Sequence, residues 1–244
     1  MSSMSEERSY RLERWIAAIL FLLFLLPFVA DADEVLFTDL FHGDEVTAKS
    51  GEHFLALVCD ARDQCVLQPV KIDVSVEFDP IVDAENERTG KRVRAHGIDT
   101  AYLLRSKRLA PGPVTSARPS ATDLLPISKP QTITLGSSKY VLHYRCASAP
   151  DPEGFVDCAL VLESNGVTQA LATFPAFDQG GGINALDAEQ YVVFAGDLDH
   201  DGKLDLLANI SGHWNEWHPA LFLSSAAKDD ELVGRVAEMV ATGC

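Results

Sequence analysis

The sequence predicts a mostly β protein, with antiparallel sheets in two small domains and a strand-flanked Asp-x-Asp-x-Asp-Gly loop in the second. Three observations lead there. Apolar residues alternate with polar ones at a period of two, an Asn-Gly pair joins two such runs, and five prolines fall between residues 111 and 130. With 244 residues, 47% of them hydrophobic, the chain is too apolar for disorder and long enough for one generous core or two smaller ones. Its 36 acidic and 20 basic residues give a net charge of -16. Nucleic-acid phosphates and anionic lipid surfaces would repel such a chain, so no nucleic-acid partner is expected.

The N-terminus reads as an export signal. Arg8, Arg11 and Arg14 precede Trp15 to Ala30, a run without a charge, and Ala30-Asp31-Ala32 has the small-residue spacing of a cleavage site. The run is shorter than the roughly 20 residues needed to cross a bilayer core. Residues 1–32 are therefore expected to be a signal peptide cleaved after Ala32, and the protein to be secreted or periplasmic. The alternative is an uncleaved anchor, which would give membrane attachment only through residues 15–30. Removing three basic and four acidic residues leaves 17 against 32, so the exported part carries a net charge of -15. No cysteine follows the run, so a lipidated terminus is not indicated.

Five cysteines suit an oxidising compartment. Cys59 and Cys65 flank the polar turn Asp60–Gln64, and Cys146 and Cys158 flank a turn carrying Pro150, Pro152 and Gly154. Local pairing, Cys59 with Cys65 and Cys146 with Cys158, is the simplest solution, although spacing alone does not decide connectivity. Cys244 is then free, bonded to another molecule, or a competitor for a local pairing. No two cysteines are spaced Cys-x-x-Cys, so a metal cluster is not expected.

Residues 33–109 read as an N-terminal β domain. Phe54–Val58, Val66–Val70 and Ile72–Phe78 are strand candidates, with Ile72, Val74, Val76 and Phe78 on one face and Asp73, Ser75 and Glu77 towards water. The charged stretch Asp83 to Arg94 reads as a long hairpin or loop. Prolines 111, 113, 119, 126 and 130 mark residues 110–130 as a linker that is expected to hold no central strand and no helix.

Residues 131–244 read as a second β domain. Ile133–Leu135, Tyr140–Arg145 and Phe155–Leu162 are strands, and Asn165-Gly166 turns the last of these into Ala170–Phe174, because both central positions of a type I′ turn need positive φ. Tyr191–Phe194 is a further strand. Leu232, Val233, Val236, Met239 and Val240 follow helical spacing.

The motif with chemical content follows Tyr191–Phe194. Asp197, Asp199, Asp201 and Asp205 stand at positions one, three, five and nine of a loop, with Gly202 at six and the main-chain carbonyl of Lys203 as the donor at seven. Oxygen donors that alternate along a wrapping loop suit a hard divalent cation. Position twelve is Ala208 and the flanks are strand-like, so the loop is not an EF-hand. An acidic turn without an ion is the competing reading, since Asp and Gly favour turns, but it leaves four like charges uncompensated.

The segment Phe194-Ala195-Gly196-Asp197-Leu198-Asp199-His200-Asp201-Gly202-Lys203-Leu204-Asp205-Leu206-Leu207 resembles the calcium loop of FG-GAP and VCBS repeats, found in integrin-type propellers and bacterial surface proteins. The resemblance implies calcium bound by Asp197, Asp199, Asp201, Lys203 (main chain) and Asp205, with the loop between two strands. The loop occurs once, whereas propellers repeat their blade typically four to eight times, so a full propeller is not expected. More loosely, Leu221–Ser225, Glu231–Gly234 and Gly243-Cys244 resemble exported bacterial proteins of unknown function with a single such loop. That resemblance implies a strand rather than a helix over residues 231–241.

Two weaker constellations remain. His213-Trp214-Asn215-Glu216-Trp217-His218 suits glycan, peptide or transition-metal binding, or else a loop whose indoles cover a sheet edge. Asn209-Ile210-Ser211 is a glycosylation sequon inside an expected strand. The catalytic signatures Gly-x-Ser-x-Gly, His-Glu-x-x-His, the phosphate loop and Gly-x-Gly-x-x-Gly are all missing from the sequence. The expected function is an exported, calcium-stabilised binding or envelope-associated module without catalysis, with a protein or glycan ligand. The alternative is a secreted hydrolase with its site at the domain junction.

Overall fold

Period-two alternation does produce strands almost everywhere. The computed structural model describes residues 32–117, 130–148, 155–174, 191–212 and 215–242. In chain order its strands are β1 (Glu34–Phe37), β2 (Leu40–Phe41), β3 (His53–Cys59), β4 (Cys65–Glu77), β5 (Gly90–Ala95), β6 (Tyr102–Arg105), β7 (Gly112–Ser116), β8 (Gln131–Leu135) and β9 (Ser138–Ser148). They continue with β10 (Phe155–Ser164), β11 (Val167–Phe174), β12 (Tyr191–Asp197), β13 (Asp205–Asn209), β14 (Glu216–Trp217), β15 (Pro219–Leu223), β16 (Gly234–Glu238) and β17 (Ala241–Thr242), with one 3₁₀ turn at Ser224–Ala226. All pairings are antiparallel, as expected of a hairpin-rich sequence.

The local predictions hold where the turn chemistry is local. Asn165 and Gly166 take φ of 50° and 82° and join β10 to β11 in register from Ser164↔Val167 onward. Asp60 accepts the amides of Arg62 and Gln64 at 2.8 and 2.9 Å, closing the β3–β4 turn. Cys59 bonds Cys65 and Cys146 bonds Cys158. Two disulfides fit an oxidising compartment. No helix of the described residues is long and apolar enough to cross a membrane. The expected signal segment and Cys244 lie outside the described residues.

Two expectations are corrected, and one alternative left open is decided. Val66–Val70 and Ile72–Phe78 are not two strands but the single 13-residue β4. Pro69 is tolerated because it falls between the stretch of β4 that pairs with β7 (Cys65–Leu67) and the stretch that pairs with β5 (Ile72–Glu77). Along that strand the buried face fades: Ile72 is fully buried, but Val76 is 66% exposed.

The second correction concerns residues 110–130, expected to be a strandless linker. They hold β7, which pairs with β4 through Gly112–Val114 and with β12 through Thr115–Ser116. Each neighbour is engaged over only two or three residues, and Pro113 lies on the side of that short overlap where β12 has already ended. The missing amide is therefore not required. β7 makes one sheet of the two regions, in the order β1-β6-β3-β4-β7-β12-β13-β15-β16, with β5 and then β2 branching from β4. From Ala32 onward the chain is one compact unit. β1 returns against β15 and β16, so the sheet nearly closes into a barrel.

Third, the helical spacing over residues 232–240 does not make a helix. β16 is a strand, and a bulge leaves Val236 without a counterpart between the pairs Phe222↔Arg235 and Leu221↔Ala237. One extra residue breaks the period of two and leaves a spacing that imitates a helix.

Two cores follow from this topology. Leu36, Phe54, Leu67, Leu103 and Leu104 pack with Phe194, Leu207, Leu221 and Leu223 inside the barrel. The four-stranded sheet β8-β9-β10-β11 packs on the outside, where Ile133, Leu142, Leu160 and Leu162 meet Ala195, Leu206, Ala208 and Phe222. Successive residues of β13 and β15 thus point into different cores, and every residue of both strands is buried. At about 1.5–3 kcal/mol for each large apolar side chain, these two strands are firmly held.

Candidate metal centre

The aspartate loop is the connection between β12 and β13, and the two cores grip it at both ends. Leu198 packs into the barrel core and Leu204 into the outer core, each fully buried. Gly196, one residue before the loop, allows the close approach of β7: a Cβ there would lie 2.0 Å from the Thr115 carbonyl oxygen. Within the loop His200 and Gly202 take positive φ, 65° and 79°, which glycine adopts without the cost a side chain brings.

Carboxylates organise what lies between. Asp205 is fully buried. Its Oδ2 accepts the amides of Leu198 (2.7 Å) and Asp199 (3.3 Å), and its Oδ1 accepts the amide (2.7 Å) and hydroxyl (3.0 Å) of Ser224. Asp197 accepts the amides of Asp201 and Gly202 at 3.1 and 3.0 Å. Asp199 Oδ1 accepts the Asp201 amide at 3.3 Å, whereas Asp199 Oδ2 is shielded from solvent and has no hydrogen-bond partner.

Asp197, Asp199 and Asp205 each bring a carboxylate oxygen within 4.8 Å of the others, and this group can hold a metal ion. Burial pushes the Asp205 carboxyl up to about 6, and the nearby Asp199 charge pushes in the same direction against the amides that favour its charged form. A cation would supply the missing counter-charge, since an uncompensated carboxylate out of water is costly.

Of the residues singled out from sequence, the structure brings three carboxylates together and sets one aside. Asp201 lies outside the triad: its Oδ2 accepts the Ser224 hydroxyl at 2.9 Å and its Oδ1 the Lys203 amide at 2.8 Å. The Lys203 side chain is exposed. Ser224 was not legible as a site residue. It follows the apolar run of β15, 19 residues beyond Asp205, and only the pairing of β13 with β15 brings it to the loop.

The described members of the other constellations have partners within the fold. Trp217 lies 6.1 Å from the Phe37 ring, and His218 pairs with Glu238 at 2.8 Å and Glu216 at 3.5 Å. His213 and Trp214 lie outside the described residues. Asn209 of the sequon is buried and accepts the His218 amide at 2.7 Å.

A second organised acidic loop, overlapping the charged stretch Asp83 to Arg94 read as a long hairpin or loop, joins β4 to β5. Buried Asp79 meets His42 Nδ1 at 2.5 Å and accepts the Ile81 amide at 3.0 Å. The hydrogen bond to Asp79 raises His42 above its ordinary value, outweighing burial. For Asp79, burial would raise the carboxyl, but the bonds from His42 and the Ile81 amide hold it below the usual range. No protein-family model, no curated protein and no solved structure matches the chain.

Proposed function

We propose that this protein is an exported, calcium-stabilised binding or envelope-associated module without catalysis, whose 197–205 loop is a single FG-GAP-like calcium loop. The observation that carries the reading is the Asp197–Asp199–Asp205 triad, with one buried oxygen lacking any partner, at the tip of a hairpin buried on both faces. All the side-chain donors are hard oxygens, which favour calcium or magnesium over the softer metals. The ion joins β12, β13 and the turn after β15 by neutralising charge where they meet, so its binding energy adds to folding stability. The ligand of the module is a protein or a glycan, and the two disulfides support export to an oxidising space.

Thermal unfolding of the disulfide-intact protein, with excess calcium and then with chelator, tests this. Calcium at 100 times its Kd adds about 2.7 kcal/mol, and each kcal/mol raises the midpoint of a domain of this size by about 2–4 °C. The double substitution Asp197→Asn with Asp199→Asn abolishes the response. Equal midpoints in calcium and chelator for the unaltered protein would remove the calcium reading.

A further inference from the structure

We propose that Ser224 is a latch on the cation site, holding Asp201 away until an ion draws it in. The inference rests on the calcium reading above and specifies how that site is regulated. Asp201 belongs to the loop by position, yet its Oδ2 is bound to the Ser224 hydroxyl at 2.9 Å and is not among the carboxylates that converge within 4.8 Å. The same hydroxyl lies 3.0 Å from Asp205 Oδ1, so one Oγ bridges two carboxylates of the loop. A hydroxyl has a single proton and cannot donate fully to both. Asp205 does not depend on that donation, because the Ser224 amide serves the same oxygen at 2.7 Å. Among the described residues, Asp201 Oδ2 accepts from the Ser224 hydroxyl alone.

Ion uptake that recruits Asp201 therefore breaks one hydrogen bond to a charged acceptor, and the latch lowers the affinity by the strength of that bond. Ser224 sits at the start of the 3₁₀ turn that follows β15, whose Ala226 carbonyl closes against Gly234 of β16. Releasing Asp201 frees the hydroxyl for Asp205 alone, so ion uptake is transmitted to the β15–β16 connection as well as to the loop.

The test is calcium titration by calorimetry of the unaltered protein and of Ser224→Ala, Ser224→Thr, Asp201→Asn and the double variant Ser224→Ala/Asp201→Asn. Ser224→Ala is expected to bind calcium about tenfold more tightly, equivalent to ~1.4 kcal/mol. Ser224→Thr keeps the hydroxyl and stays at the unaltered value. Asp201→Asn binds more weakly, and on that background Ser224→Ala brings no gain. Should Ser224→Ala fail to fold, Ser224→Cys fills the same space with a much weaker donor and is expected to show the same tightening. Unchanged or weaker binding in the Ala or Cys variant, with normal uptake by the unaltered protein, overturns the latch. No uptake by any of them at millimolar calcium overturns the calcium reading on which it rests.

Discussion

The hairpins β4–β5 and β12–β13 carry acidic loops built by the same local device, carboxylates accepting loop amides, but they close their charge differently. In the first, Asp79 meets His42, and Glu77 meets Arg92 and Arg94. In the second, among the described residues, no ion pair reaches Asp197, Asp199, Asp201 or Asp205, and an oxygen of Asp199 is left without a partner. The flanks differ in the opposite sense. Leu198 and Leu204 are fully buried, whereas Ile81 and Val82 are more than half exposed. The loop whose carboxylates are ion-paired stands out from the fold, while the one without ion pairs among the described residues sits between deeply buried strands, where its triad can hold a metal ion.

The largest test of that contrast is packing. Leu204→Ala is expected to destabilise by about 2–5 kcal/mol, read by denaturant unfolding under non-reducing conditions. Ile81→Ala should stay within about 0.5 kcal/mol, and a comparable loss there would mean that the β4–β5 tip is packed after all. Next comes the cation. The calcium-dependent rise of several degrees should persist in His42→Gln and vanish in Asp199→Asn, since only the second loop needs an external charge. If His42→Gln removed the calcium response, the two loops would be coupled and the distinction would fail.

The smallest effect is the pH dependence of the self-neutralised loop. His42 is raised above 6.5, so its contribution is complete below 6.5 and is lost as the pH rises through the folded value. Asp79 is held below 3.8, so its contribution is present above 3.8 and is lost as the pH falls through the folded value. The advantage of the unaltered protein over His42→Gln should therefore be greatest between these limits. A difference that grew steadily towards alkaline pH would assign the pair another role.

Legibility in the sequence follows the range of the interaction. The Asn165-Gly166 turn and the two disulfides were readable because their causes lie within a dozen residues. β7 was not, because a proline-rich stretch becomes a strand only where β4 and β12 offer it short overlaps from either side. The bulge at Val236 turned a strand into apparent helical spacing, and its cause is the register with β15. At the site, spacing placed Asp197, Asp199 and Asp205 together. It grouped Asp201 with them, and nothing local announces the Ser224 hydroxyl that engages its carboxylate.

The strand β7 also bears on how the chain reaches its fold. The barrel core takes Leu36, Phe54 and Leu103 from before the proline-rich stretch and Phe194, Leu207 and Leu221 from well after it. Neither half completes that core alone, although the buried residues of the outer core all come from the second half. Synthesis therefore leaves the first hundred or so residues waiting, with one edge of β4 and β7 open, until β12 to β16 emerge, and such non-local closure is slow and prone to aggregation. The same dependence makes the protein a natural pair of complementing fragments: two pieces separated within residues 118–129 should leave the barrel core incomplete when alone and reassemble when expressed together.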